Sequence, residues 1–523
     1  MATARIGILI LLVSMRSFAA NYYLDASGGS DGATGRSSAA AWKSLTKLDG
    51  TVFKGGDSIL FKSGGMWNGQ LRPKGSGTQG NPIVITTYGG NGKALINGGG
   101  LIGEGAVYLN GESDWDIGGL EITNDADSGA DRRGVYIVGP SDRIRLHDLY
   151  VHNIAGIPSV PALGVENAAA KATGGIAFSG GGKNVLIENC ELFHIDNTGL
   201  YTDNGPYPGL RVRNNVLHEI AKNAMIIREA DEKSFIEYNV CYQTCVHGVT
   251  TGNTIFSAQC KGTTFQNNEG YQNNSTGGFD GSLYDCDLRG GADTKWQYSY
   301  SHDNNHGLMW FCTIASDTGI KVRYNVSQND KGRIFCFAFP LGHADIYNNT
   351  IYIGADVSPT IIYEETQLYD YAFYNNIIYN LSKTSKYLFH SRATRKFDYN
   401  TFYGAHPTGE PDDPHKLLAD PMFTAPGTGK AGIGTVGGYQ LQAGSLCINT
   451  GMVIADNGGH DYLGRPIYLA PDRGAFEWQG ISGIAPGSSA AKKKAAPWIR
   501  SPESAPVLRF TKDAKSYDAL GNR

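Results

Sequence analysis

The sequence predicts an all-β chain, a right-handed parallel β-helix of about ten coils in which three short strands and their turns make one coil. Three observations lead there. A short motif centred on Asn recurs along the chain, alternating runs rich in Val, Ile, Tyr and Phe fill the intervals, and no long stretch carries a helical hydrophobic period. Composition agrees, with 70 Gly and 29 Tyr among 523 residues and only 18% of them charged, as a turn-rich β protein requires.

The motif reads as Ile187-Glu188-Asn189, Arg213-Asn214-Asn215, Glu237-Tyr238-Asn239, Gln266-Asn267-Asn268, Arg323-Tyr324-Asn325, Tyr347-Asn348-Asn349, Tyr374-Asn375-Asn376 and Asp398-Tyr399-Asn400. Trp296-Gln297-Tyr298-Ser299 fits with Ser in the Asn place, and Leu146-His147-Asp148 fits with Asp. From Asn189 to Asn400 the steps run from 24 to 31 residues. A unit of 24 with variable excess is one coil whose insertions sit in loops. The Asn is expected to turn the chain in the left-handed region, which it tolerates better than most residues. Stacked on successive coils, its amide should also bond to its neighbours, so Asn189, Asn215, Asn239, Asn325, Asn349, Asn376 and Asn400 form one ladder. That role is structural.

Strand-like runs include Pro82 to Tyr88, Val322 to Val326 and Ala344 to Tyr352. A stack of coils exposes a sheet edge at each end, so caps are expected. Arg5, the apolar run Ile6 to Met15 and the small residues of Ser17-Phe18-Ala19 read as a signal peptide over residues 1–20. The chain is therefore expected to be secreted, periplasmic or held at the cell surface. The solenoid with its N-terminal cap and C-terminal closing segment spans 21–479. From 480 to 523 a Pro, Gly, Ser and Ala stretch with Lys492-Lys493-Lys494 reads as a linker and tail.

A net charge of −4 without a basic stripe argues against nucleic acid as partner. No apolar run approaches the length of a membrane span. Of eight Cys, three (Cys286, Cys312 and Cys336) recur near the coil period and are expected to stack, reduced, inside the solenoid. Cys241 and Cys245 are the best candidates for a disulfide.

Both ends resemble the secreted bacterial right-handed β-helix proteins of the pectate-lyase-like superfamily. At the start stand Tyr22-Tyr23-Leu24-Asp25, Ala41-Trp42-Lys43-Ser44-Leu45, Gly56-Asp57-Ser58-Ile59-Leu60-Phe61 and Trp67-Asn68-Gly69. At the close stand Asp420-Pro421-Met422-Phe423, Tyr439 to Ser445 and Asp472-Arg473-Gly474-Ala475-Phe476-Glu477. The resemblance implies a carbohydrate-active protein without fixing its chemistry, because this fold hosts lyases, hydrolases, epimerases and adhesins. The paired-Asp motif of polygalacturonases is missing.

One stretch concentrates titratable groups: Asp280-Gly281-Ser282-Leu283-Tyr284-Asp285-Cys286-Asp287, followed by Ser301-His302-Asp303-Asn304-Asn305-His306. Asp285 and Asp287 are two apart in a strand and share a face. Like charges that close raise one pKa, and glycoside hydrolysis needs one protonated and one ionised carboxyl. Asp280, Asp285 and Asp287 are therefore the candidate catalytic set. Aligning Gly199, Ala224, Gly248, Gly281 and Gly307 puts Asp203, Arg228, Gly252, Asp285 and Phe311 in one column. On that alignment Asp203, Arg228, Glu229, His302 and His306 are candidate substrate-binding residues. Trp310 and Tyr284 are either sugar platforms or core.

Three functions stay open. A glycoside hydrolase leads, acting as a monomer on a polysaccharide or oligosaccharide without a cofactor. A polysaccharide lyase would use Arg228 or Lys233, with Ca²⁺ as its possible ion. A non-catalytic glycan-binding or adhesin solenoid is the third. Clustered Asp residues also suit a Ca²⁺ site or plain surface solubility.

Overall fold

The computed structural model describes residues 19–158, 173–278, 280–287, 291–365, 367–390, 392–467 and 470–480. The segment read as a signal peptide, apart from its last two residues, and the segment beyond 480 fall outside them. Three parallel sheets of 14, 13 and 11 strands wrap a β-solenoid of about 12 turns. Each coil contributes one strand to the first, second and third sheet in turn, as in Leu186–Glu188, Glu191–Ile195 and Thr198–Asp203. Among the described residues the only α-helix is the four-residue Thr46–Asp49, near the N-terminal end.

Alternation in the strands makes the core. Inside the first sheet, Ile117, Leu146, Ile187, Val212, Ile236, Phe265, Trp296 and Val322 pair coil to coil, all of them fully buried. Among the described residues no helix is long and apolar enough to cross a membrane.

The Asn ladder lies at the corner between the first and second sheets. Asn349 Nδ2 donates to Asn376 Oδ1 at 2.9 Å, and Asn325 N–H donates to Asn349 Oδ1 at 3.0 Å. The same pattern runs through Asn215, Asn239 and Asn268, passes Ser299, and continues to Asn400. Two details correct the sequence reading. Asn189 is not in the ladder, because Cys190 holds that place and donates its N–H to Asn215 Oδ1. The left-handed residue is not the ladder Asn but the one before it: Asn214, Tyr238, Asn267, Tyr298, Tyr324, Asn348, Asn375 and Tyr399 have φ of 52–59°. Left-handed backbone turns the corner, and the next side chain folds inward to satisfy the polar groups it exposes.

The closing segment caps this ladder and then doubles back. Asn400 N–H and Nδ2 both donate to Asp413 Oδ2, at 2.8 and 2.9 Å. Farther on, Asn348 Nδ2 donates to the Asp472 and Gly474 carbonyls, and Gly432 N–H donates to Glu269 Oε1. This strap buries Tyr298, Tyr324 and Tyr347 against Ile454 and Ile467.

All eight Cys are free, so Cys241 and Cys245 are not bonded. The proposed cysteine stack is also wrong. Cys286 points inward with Phe311 and Phe337 as its coil partners, whereas Cys312 pairs with Asp287 and Cys336 with Trp310 on the outward face. The spacing matched a coil, but a shift of one residue reverses the face.

Asn349→Ala removes one rung, strands its neighbours' polar groups and should cost about 1–3 kcal/mol. Thermal or urea unfolding should register that loss while activity per folded molecule stays intact. Alkylation of the denatured, unreduced chain should modify eight thiols by mass spectrometry, and any protected pair would contradict the free assignment.

Candidate functional site

The strand Tyr284–Asp287 lies in the third sheet between Ile255–Ala258 and Met309–Cys312. Tyr284 and Cys286 face inward, and the Tyr284 hydroxyl meets Ser299 Oγ at 2.6 Å and accepts from Asn268 Nδ2. Tyr284 is therefore core, not a sugar platform. Alternation then sends Asp285 and Asp287 outward together. Asp285 pairs with Phe256 and Trp310, and Asp287 with Ala258 and Cys312.

Ligand atoms of Asp285, Asp287 and Cys312 lie within 4.8 Å of one another. Asp285 is only 2% exposed. Burial, then the charges of Asp287 and Asp280, push its carboxyl well above the usual range, while a hydrogen bond from Asn253 opposes them. Asn253 Nδ2 donates to Asp285 Oδ2 at 2.7 Å, and Asp285 Oδ1 has no partner. Burial also raises the Asp280 carboxyl, against Lys222 and the same Asn253 amide. Lys222 is itself lowered by burial. Desolvation drives both members of that pair toward their neutral forms.

Asp280 precedes the strand in a loop held from several sides. Ser275 Oγ donates to the Asp280 carbonyl, and Asn253 Oδ1 accepts from Gly281 and Ser282 N–H at 2.8 and 2.9 Å. Behind it, His306 Nε2 donates to the Gly277 carbonyl at 3.1 Å. Gly281 is needed there: φ is 141°, and a Cβ would sit 2.5 Å from the His306 ring. Burial pulls the His306 pKa down, which suits a neutral ring in this packing role. Trp310 stands edge-on to it at 6.3 Å.

The remaining expectations divide. Asp203 and Arg228 do lie on this outward face, where they approach to 3.4 Å. The predicted column is wrong beyond Arg228, since Arg228 pairs with Ala258, Ala258 with Asp287 and Asp287 with Cys312. Gly252, Asp285 and Phe311 belong to other positions. Arg228 is thus two coils, about 10 Å, from Asp287, and Glu229 turns the chain just after it with φ of 56°. His302 leaves the site altogether. It lies 3% exposed on the second sheet, with Nε2 at 3.1 Å from Glu269 and Nδ1 at 2.9 Å from Asp303. Burial alone would lower its pKa, but the Asp303 and Glu269 hydrogen bonds outweigh it and hold the ring up at about 9. Asn253, Lys222 and Cys312 are the site residues that the sequence reading lacks: Asn253 is carried in by a long coil, and Cys312 joins because it pairs with Asp287 on the next coil.

No family model matches the sequence. A curated lacto-N-biosidase from Bifidobacterium longum subsp. longum is 27% identical across 88% of this chain.

The chain is similar to a lacto-N-biosidase. It spans 36% of that relative's length. Two crystal structures of the GH136 lacto-N-biosidase from Eubacterium ramulus, a selenomethionine derivative and the native protein, each match with a TM-score of 0.55. They are 21% and 20% identical over 67% and 72% of this chain, and 67% and 68% of their own chains are covered. The lacto-N-biosidase structures thus share the β-helix fold.

The acidic strand has a measurable thermodynamic signature. The folded pKa of Asp285 lies above its unfolded value of about 3.9. The unfolded chain therefore ionises first, and the group's stabilising contribution is complete below about pH 4 and lost as pH rises to the folded value. Asp285→Asn keeps the shape of the protonated acid and should flatten that loss. Urea unfolding at pH 4 and pH 8 should show the variant gaining on the parent at the higher pH, and an equal difference at both would contradict the shift.

Proposed function

We propose that the chain is a glycoside hydrolase acting on oligosaccharides, with Asp280 as general acid and Asp287 as nucleophile or base. The observation that carries this reading is the graded carboxyl set on one outward face, supported by the likeness to a lacto-N-biosidase over 88% of the chain. Burial raises the Asp280 carboxyl, and Asp280 is more open than Asp285, so it is the member placed to protonate a glycosidic oxygen. Two carboxyls as close as Asp285 and Asp287 share one charge. With Asp285 the more buried, the proton stays there and the charge falls to Asp287, which faces the anomeric carbon or its attacking water. Asp285 and Asn253 are positioning residues in this scheme.

Calcium takes six to eight oxygens, whereas Asp285, Asp287 and Cys312 bring together two carboxylates and a soft thiol, a donor set that suits Ca²⁺ poorly. The lyase reading has less support, because Arg228 is engaged by Asp203. Export guided by the first twenty residues would bring the site to extracellular glycans.

The test is a screen on neutral and uronate-containing oligosaccharides, read by reducing ends and by absorbance of unsaturated product. Hydrolysis gives reducing ends without that absorbance; elimination gives both, and no product at all would favour the adhesin reading. On a cleaved substrate, Asp280→Asn and Asp287→Asn should each lower turnover by about 10² or more while leaving the fold intact. The parent's kcat/KM should fall as pH rises through the elevated Asp280 pKa. Full activity in both variants would place the chemistry elsewhere.

A further inference from the structure

The second sheet ends in a feature that the proposed chemistry does not use. In Val216–Ile220, Val240–Thr244 and Glu269–Asn273 the fourth residue is left-handed, with φ of 52° at Glu219, 52° at Gln243 and 54° at Gln272. That kink breaks the alternation and turns two consecutive side chains outward: His218 with Glu219, Tyr242 with Gln243, Tyr271 with Gln272. Two parallel columns result. One is a ring stack in which Phe193, His218, Tyr242 and Tyr271 follow at 4.9–5.2 Å with their planes within 5°. The other is polar, one side chain per coil.

Beside the polar column lies a cavity of about 720 Å³ lined by Glu219, Gln243, Gln272, Asp303, His247 and Lys331, with Val246 and Asn274 completing the wall. Two carboxylates, one lysine and the His247 imidazole, itself 3.4 Å from Asp196, line it, so it carries no surplus of cations. Glu219 is taken up by His194 and His218, and Asp303 by His302. The amides of Gln243 and Gln272 make no hydrogen bond to any described residue. Each presents a donor and an acceptor to the cavity, one coil apart, and that is the complement of paired sugar hydroxyls. Glu219, Gln243, Gln272 and Asp303 span four coils, about 14 Å, which suits a short chain of sugars better than a single ring. Asn274, in the cavity wall, begins the loop that carries Asp280.

We propose that this cavity is an accessory glycan-binding cleft for a neutral, hydroxyl-rich oligosaccharide, held by Gln243 and Gln272 and leading toward Asp280. Its direction rests on the hydrolase reading, but its binding does not. A uronate chain would find no surplus of positive charge here, and the ring column offers edges and phenol hydroxyls along the flank.

The experiment uses the full chain carrying Asp287→Asn, so that bound glycan is not turned over. It is titrated by calorimetry with cellopentaose, maltopentaose, an N-acetyllactosamine-based tetrasaccharide and, as the charged comparator, tetragalacturonate. At least one neutral glycan should bind in preference to tetragalacturonate. Adding Gln243→Ala and Gln272→Ala together should weaken that binding by about tenfold or more with the melting temperature unchanged. In the Asp287 parent, the same pair should raise KM for the oligosaccharide and leave hydrolysis of a small aryl glycoside as it was. No binding of any neutral probe, preference for tetragalacturonate, or unchanged affinity in the double variant would each overturn the cleft. Binding that is lost in the double variant, in a chain that cleaves nothing, would keep the cleft and sink the hydrolase reading instead.

Discussion

Every coil must turn the same corner between the first and second sheets without leaving buried amide groups unpaired. The inward ladder from Asn215 to Asn400 meets that constraint: each side chain accepts an N–H from the preceding coil, and all but Asn268 and Ser299 also donate to the next rung. Each ladder Asn also donates to a backbone carbonyl of the coil before it, so the ladder locks coil to coil in register. The strands of all three sheets inherit that register. Asp413 closes the series with a carboxylate where a further Asn would otherwise be needed, so the strap is part of the same system.

Register then decides chemistry. On the third sheet a step of one residue separates core from surface, and the strand Tyr284–Asp287 spends its odd positions on carboxylates and its even ones on the core. Loops can lengthen at the corner before this sheet without disturbing the ladder, and the coils of 29 and 31 residues do so. Their insertions supply Asn253 and Asp280, which meet the strand from outside. The second sheet has a different fate from Glu269 onward. The strap covers its start at Glu269 and encloses His302 among Glu269, Asp303 and Tyr300, while Gln272 at the other end of the same strand stays exposed at the cleft.

The fold was legible because its signal is periodic and repeated many times, and a miscount in one coil does not erase it. Individual positions were less legible. The pattern Arg213-Asn214-Asn215 does not say which Asn turns the chain and which folds inward, and at Ile187-Glu188-Asn189 the inward place belongs to Cys190. Gly248 and Gly281 looked like strand openings, yet they belong to inserted loops, and the true equivalents of Ala224 are Thr254 and Leu283. The column alignment failed there. Asp285 and Asp287 survived because alternation within one strand needs no alignment between coils. His302 was misplaced because nothing local announces that a segment some 130 residues later will fold over it.

In the proposed chemistry a glycan is cut on the third sheet between Asp280 and Asp287. A crystal structure of the Asp287→Asn chain with an oligosaccharide it still binds tests this most directly. Cleavage by these groups requires the scissile oxygen within hydrogen-bond reach of the Asp280 carboxyl, with the anomeric carbon facing residue 287. A glycan whose linkages all lie elsewhere, on another sheet or beyond reach of both side chains, would contradict it.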